Sequence, residues 1–136
     1  MEDCIFCKIA AGIIPSACVY EDDDFRAILD IAPAAKGHIL LLPKKHCANL
    51  FEIDDVTASK ALSVASKIAK AQKTAFNADG INLLQNNGEA AGQSVFHLHI
   101  HLIPRYDNDS VTIPWEHLSY AEGEAEEYAA KIRACL

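Results

Sequence analysis

Apolar residues recur along this chain with two periods, and the changes of period mark its elements. Ala17–Glu21 and Phe25–Asp30 read as two short strands joined by Asp22-Asp23-Asp24, a polar hairpin connection. His38–Pro43 holds the continuous run Ile39-Leu40-Leu41-Leu42, the length and texture of a central buried strand. From Asp54 the period lengthens. Ala58, Ala61, Leu62, Ala65, Ile68, Ala69, Gln72 and Phe76 recur at three and four residues, the stripe of an amphipathic helix. Asp54 or Asp55 can cap its start, and Asn77-Ala78-Asp79-Gly80 stops it. Ile81–Gln85 returns to strand, and Ser94–Ile103 is a further strand closed by Pro104. Residues 4–11 predict a short helix ended by Gly12. Pro15-Ser16 marks a turn, Pro33–Gly37 and Asn86–Gln93 are loops, and Ala121–Ile132 predicts a C-terminal helix. Strands in hairpin order around one long helix predict an α+β domain with an antiparallel sheet of about five strands.

The strand at 94–103 carries the most informative side chains. His97, His99 and His101 alternate with apolar residues, so in extended backbone they share one face while Phe96, Leu98, Ile100 and Leu102 share the other. Imidazole titrates near neutral pH, attacks phosphorus or carbonyl centres and binds metals. A merely solvated strand face usually carries Lys, Glu, Thr and Ser.

Composition narrows what that face serves. The 136 residues fit one domain, with no repeats and no linker, and 51% hydrophobic content allows a full core. A net charge of −7 and a pI near 5.2 argue against nucleic-acid binding. No apolar run approaches the roughly 20 residues of a membrane span. The start Met1-Glu2-Asp3 lacks the basic and apolar regions of a secretory signal. Five cysteines, an odd number, argue against a disulfide framework and for a reducing, cytoplasmic setting.

Two further clusters suggest chemistry. Cys4-Ile5-Phe6-Cys7 has the gap that lets two thiolates reach one tetrahedral metal, with His46 and His97 as candidate further ligands. Buried structural cysteines would give the same spacing. The Asn86–Ser94 loop has Gly88 and Gly92, which permit close backbone approach to a ligand, and Gln93 and Ser94 offer donors beside the histidines. Asp30 suits a ribose but equally a turn. His38, at the start of a buried strand, reads as structural or as a supporting group. His117, Cys18, Cys47 and Cys135 suggest no role.

The stretch Gly92-Gln93-Ser94-Val95-Phe96-His97-Leu98-His99-Ile100-His101 resembles the signature of the histidine triad (HIT) family. Cys4–Ile9, Leu29-Asp30-Ile31, Gly37-His38, Pro43–His46 and Asn86–Glu89 follow in the order that family shows, so the resemblance covers roughly residues 4–106. It is nearest to small zinc-containing members and to nucleoside phosphoramidases. It implies a single HIT domain over 1–136 with a variable part at 107–136, working as a homodimer. It implies a hydrolase or transferase acting at the α-phosphate of purine nucleoside phosphoramidates or dinucleotides. By the resemblance, His99 is the nucleophile that forms a nucleotidyl-histidine, and His101, Ser94 and His97 complete the catalytic group. The nucleotide site comprises Ile5, Phe6, Ile9, Ile28 and Ile31 at the base, Asp30 at the ribose, and Asn86, Gly92, Gln93, Ser94, His99 and His101 at the phosphate. Cys4, Cys7, His46 and His97 would hold one structural Zn²⁺ per subunit. Residues 107–136 depart most from the family, with only Trp115 resembling a C-terminal aromatic of relatives.

Two other readings compete with this one. A metallohydrolase could hold zinc on His97, His99 and His101 together. A non-catalytic protein could bind nucleotides tightly without turnover.

Overall fold

The computed structural model describes residues 3–136. Met1 and Glu2, which open the N-terminal stretch read above, lie outside the described residues. Helix α1 (Ile5–Ala10) precedes β1 (Cys18–Glu21), β2 (Phe25–Leu29) and β3 (Ile39–Pro43). The long helix α2 (Asp55–Phe76), β4 (Gly80–Leu84), β5 (Ile100–Arg105) and α3 (Glu124–Arg133) follow. The five strands form one antiparallel sheet in the order β1-β2-β3-β5-β4.

Local chemistry explains the boundaries. Asp22 Oδ1 accepts the N–H groups of Asp24 and Phe25, at 2.8 and 2.7 Å, which closes the β1–β2 hairpin. Asp54 caps α2 by accepting from Thr57 N at 3.0 Å, and Asn77 ends it in the left-handed conformation. Gly37 has φ +93°, and a Cβ there would stand 2.5 Å from the Phe76 ring, so the turn into β3 needs glycine.

The alternation of β3 feeds two cores. Ile39 and Leu41 join Phe25, Ala27 and Leu102 beneath Ala61, Val64, Ala65 and Ile68 of α2. Leu40 and Leu42 join Ile28 on the opposite face, under Phe6 and Ile9 of α1. The α2 stripe is narrower than its periodicity predicts. Ala58, Leu62 and Phe76 are exposed, while Val64, absent from the expected stripe, is buried.

Strand β5 differs from expectation at both ends. It starts at Ile100 instead of Ser94, and residues 94–99 are bent chain outside the ladder. Pairing of Leu41 with Ile100 would next bring Leu98 opposite Pro43, which has no N–H to give. Pro43 O is taken by the His97 side chain and Leu98 N–H goes to Cys47 O. Phe96 is consequently exposed while Leu98 is buried. At the other end β5 runs through Pro104 to Arg105, paired with β4 alone. Arg105 O accepts from Asp79 on the β4 side, so Pro104 N points to the opposite side, where β3 has already ended.

Arg105 then fastens the chain that follows, bonding Asn82, Asp109 and Val111 O. Beyond it, α3 buries no residue. No helix among the described residues is long and apolar enough to cross a membrane.

Candidate active site

Leu102 packs with the α2 core, so His101, one residue before it, faces the α1 side of the sheet. There a pocket of about 360 Å³ opens between α1, the 14–16 turn, β2 and the histidine segment. It gathers Ile5, Phe6, Ile9, Ile28, Asp30, Ile31, Ser94, His99 and His101 from distant parts of the sequence. The lining combines aliphatic side chains and the Phe6 ring with one carboxylate, two serines and two imidazoles.

The hydrogen bonds set the tautomers of both imidazoles. His99 Nδ1 lies 2.7 Å from His97 O, a pure acceptor, so Nδ1 carries the proton and Nε2 keeps its lone pair. Phe6 packs edge-on against the same ring, 5.0 Å between centroids. His101 is wired the opposite way. Ala34 N–H donates to His38 Nδ1 at 3.0 Å, so His38 Nε2 carries the proton and donates to His101 Nδ1 at 2.9 Å. The proton of neutral His101 is then on Nε2. Two neighbouring rings, 5.0 Å apart, thus offer one lone pair and one N–H donor.

Burial keeps His101 in the neutral form that this wiring needs. His101 is pushed down to about 4, first by burial and then by His99 and His38, with Asp30 opposing. Burial also lowers His38, against the pull of Asp30. Asp30 Oδ2 stands 3.7 Å from His38 Nε2, while Oδ1 accepts Ala32 N–H at 2.9 Å. The turn-making reading of Asp30 therefore holds alongside its place in the pocket. Asp30, His38 and His101 also have metal-ligand spacing. With Ala34 N–H on its Nδ1, His38 has no lone pair at Nε2 for a metal, so this group is a hydrogen-bond relay.

His97 belongs to a different assembly. It is fully buried, and its Nδ1 lies 3.5 Å from both Cys4 Sγ and Cys7 Sγ and 3.2 Å from His46 Nδ1. Cys7 Sγ and His46 Nδ1 are 3.2 Å apart. Ligand atoms around a tetrahedral zinc at ordinary bond lengths stand about 3.3–3.8 Å from one another, so the four donors fit that ion. His97 Nε2–H donates to Pro43 O at 2.8 Å, which fixes Nδ1 as the free donor atom. Burial and the Cys4 sulfur raise the Cys7 thiol, a cost that a bound cation would reverse. Among the described residues no candidate metal group unites His97, His99 and His101. The three-histidine metal site is not formed, because His97 turns away to the cysteines.

The chain matches the HIT domain family over residues 11–108. It belongs to the HIT family. "Protein hit" of Bacillus subtilis is 54% identical over 105 residues, covering 77% of this chain and 72% of its own. An adenosine 5'-monophosphoramidase of Saccharomyces cerevisiae is 47% identical over 107 residues, 79% of this chain and 65% of its own. The crystal structure of a HIT-family protein from Bacillus subtilis superposes with a TM-score of 0.94 at 44% identity, covering 98% of this chain and 97% of that one. A Zn-bound histidine triad protein from Mycobacterium smegmatis superposes with a TM-score of 0.78 at 34% identity, covering 99% of each chain.

Within this HIT domain the expected nucleotide-site residues do not all converge. Asn86 lies beside Gly92, and neither lines the pocket. Gln93 needs correction. Its Nε2 donates to Ala48 O and Val95 O, its Oε1 accepts from Gly88 N and Asn49 Nδ2, and its own N–H goes to Gly88 O. Buried and fully engaged, Gln93 braces the loop and has nothing left for a phosphate. Sequence reasoning missed Ile14, Pro15, Ser16, Leu29, Leu40 and Val95 in the lining. It also left His38 undecided. The Gly37-His38 step before a buried strand was the available signal.

Proposed function

We propose that this HIT protein hydrolyses purine nucleoside phosphoramidates or related nucleotides at the α-phosphate, through a covalent histidine intermediate. The observation that carries this reading is the opposed wiring of His99 and His101 in one pocket. His99 Nε2, holding a lone pair, attacks phosphorus while the bond to the leaving amine breaks. The amine takes its proton from solvent at the open side of the pocket, and exposed Ser94 donates a hydrogen bond to it. His101 Nε2–H donates to a phosphoryl oxygen, where charge grows in the transition state. Water then displaces the phosphoryl group from Nε2, releasing a nucleoside monophosphate and restoring the lone pair.

The aliphatic part of the lining suits a flat base, and Asp30 Oδ2 suits ribose hydroxyls. The yeast relative's phosphoramidase name supports the substrate class. In this reading Cys4, Cys7, His46 and His97 hold a structural zinc. The zinc supplies no chemistry to the reaction and pins α1, with Phe6, against the His99 ring. The Mycobacterium smegmatis neighbour, with bound zinc, supports that assignment. The five cysteines are free thiols, which fits a reducing cytoplasm. A homodimer is part of the proposal. Exposed Trp115, Leu118, Tyr128 and Ile132 on a tail that buries nothing in its own chain support it.

Purified protein should hydrolyse adenosine phosphoramidate to AMP, with specificity constants across phosphoramidates, acyl adenylates and dinucleoside polyphosphates ranking the leaving groups. Tight AMP binding without turnover of any of these would replace the enzyme by a nucleotide sensor.

A further inference from the structure

Residues 94–99 lie outside the ladder, so bonds other than strand pairing hold them. The loop that follows β3 supplies one at each end: Cys47 O accepts Leu98 N–H at 2.8 Å, and Ala48 O accepts from Gln93 Nε2 at 2.6 Å. Gln93 Nε2 also donates to Val95 O at 3.1 Å. Its Oε1 accepts Gly88 N–H at 2.8 Å and Asn49 Nδ2 at 3.4 Å. Gly88 N can only donate and the two carbonyls can only accept, so the orientation of the amide is fixed. These four bonds use both hydrogens and both lone pairs of a side chain that is 3% exposed.

What the amide encloses is Ser94. Gln93 N–H is tied back to Gly88 O at 3.1 Å while its side chain reaches forward to Val95 O, so the residue between is held from both sides. Ser94 and Val95 line the pocket, and Gln93 does not. With its backbone held, a serine hydroxyl has one torsion, χ1, left to place it, in three staggered positions. A shift of about 1 Å in the backbone beneath it would spoil its aim at a departing group. We infer that Gln93 is a positioning residue that acts through Ser94, holding its hydroxyl where the leaving amine departs. This inference rests on the hydrolase reading, in which Ser94 donates to that amine, and it names the group that sets the donor in place.

The test is a double-mutant cycle on adenosine phosphoramidate hydrolysis, with Ser94→Ala, Gln93→Met and the two combined, each checked for folding by circular dichroism. One neutral hydrogen bond corresponds to about a fivefold change. Ser94→Ala should lower kcat about fivefold, and Gln93→Met by a similar factor. In the Ser94→Ala background, Gln93→Met should cost nothing further. AMP, which has no leaving amine, should bind every variant with wild-type affinity in calorimetry. A merely structural role would lower kcat by the same factor with or without Ser94 and would weaken AMP as well. Either result overturns the inference, as does an unchanged kcat in Gln93→Met or in Ser94→Ala. Gln93→Glu carries the test if the methionine variant does not fold. Its carboxyl can donate toward the Ala48 and Val95 carbonyls only when protonated. Its kcat relative to wild type should therefore rise as the pH falls, and that rise should vanish in the Ser94→Ala background. A ratio that does not change with pH overturns the inference. A wild type that does not hydrolyse adenosine phosphoramidate overturns the hydrolase reading itself and the inference with it.

Discussion

His97 and His101 sit four residues apart in one alternating run, and burial drives both toward the neutral form. Their surroundings are nonetheless opposite. His97 is enclosed: one nitrogen is bonded to Pro43 O, the other faces two sulfurs and a second imidazole, and no surface is left for a substrate. His101 is half open: His38 holds one nitrogen and the other belongs to the pocket. The lesson is that a histidine's function is assigned by what takes its first nitrogen. A carbonyl or a donor imidazole decides where the remaining proton sits, and that decides between ligand, nucleophile and donor. His99 lies between the two and inherits its tautomer from the backbone of His97. The closed assembly therefore orients the open one.

The largest expected effect separates the two assemblies. His99→Asn should lower kcat/KM for adenosine phosphoramidate by on the order of a thousandfold or more, with zinc content and melting temperature unchanged. The reverse experiment disturbs the closed end. Cys4→Ser with Cys7→Ser should take bound zinc, by elemental analysis, from near one ion per chain to near none. It should also cost roughly 3 kcal/mol in denaturant unfolding, as α1 loses its anchor. A wild type that is metal-free and equally stable would remove the distinction. At the open end, His101→Ala should lower kcat by about a hundredfold, the scale of one lost charge-stabilising donor, and leave zinc in place. An equal loss of zinc would show that the two assemblies act as one.

The smallest effect is on stability against pH. His101 is held at about 4 by burial and by its neighbours His99 and His38, with Asp30 opposing, against an ordinary value near 6.5. Below about 6.5 the unfolded chain binds a proton that the folded chain refuses, so stability falls as the pH drops toward 4 and is level above 6.5. Urea unfolding of wild type and His101→Gln across that window should show a shallower fall in the variant. Equal slopes would place His101 in a wetter setting than its neighbours imply.

Much of this arrangement was legible before folding. Alternation alone puts His99 and His101 on one face, and the Cys4–Cys7 gap announces a pair of ligands. The five strands and the long helix follow from their periods. What was not legible depends on backbone atoms delivered from elsewhere. Gln93 looks like a phosphate donor until Ala48 O and Val95 O arrive to occupy it. His38 acquires a defined role only because Ala34 N–H meets its Nδ1. The bend at 94–99 follows from Pro43, 54 positions before His97, having an oxygen to accept with and no hydrogen to give.

The central claim is that His99, and neither of its neighbours, takes the phosphoryl group. It is tested most directly by mixing protein with adenosine phosphoramidate, stopping the reaction within a turnover in alkaline denaturant, and mapping the adduct by peptide mass spectrometry. The account predicts an adenylyl group on His99, released with time as AMP and missing from His99→Asn. Undiminished turnover by a folded His99→Asn protein, with no adduct on the histidine segment, would contradict it.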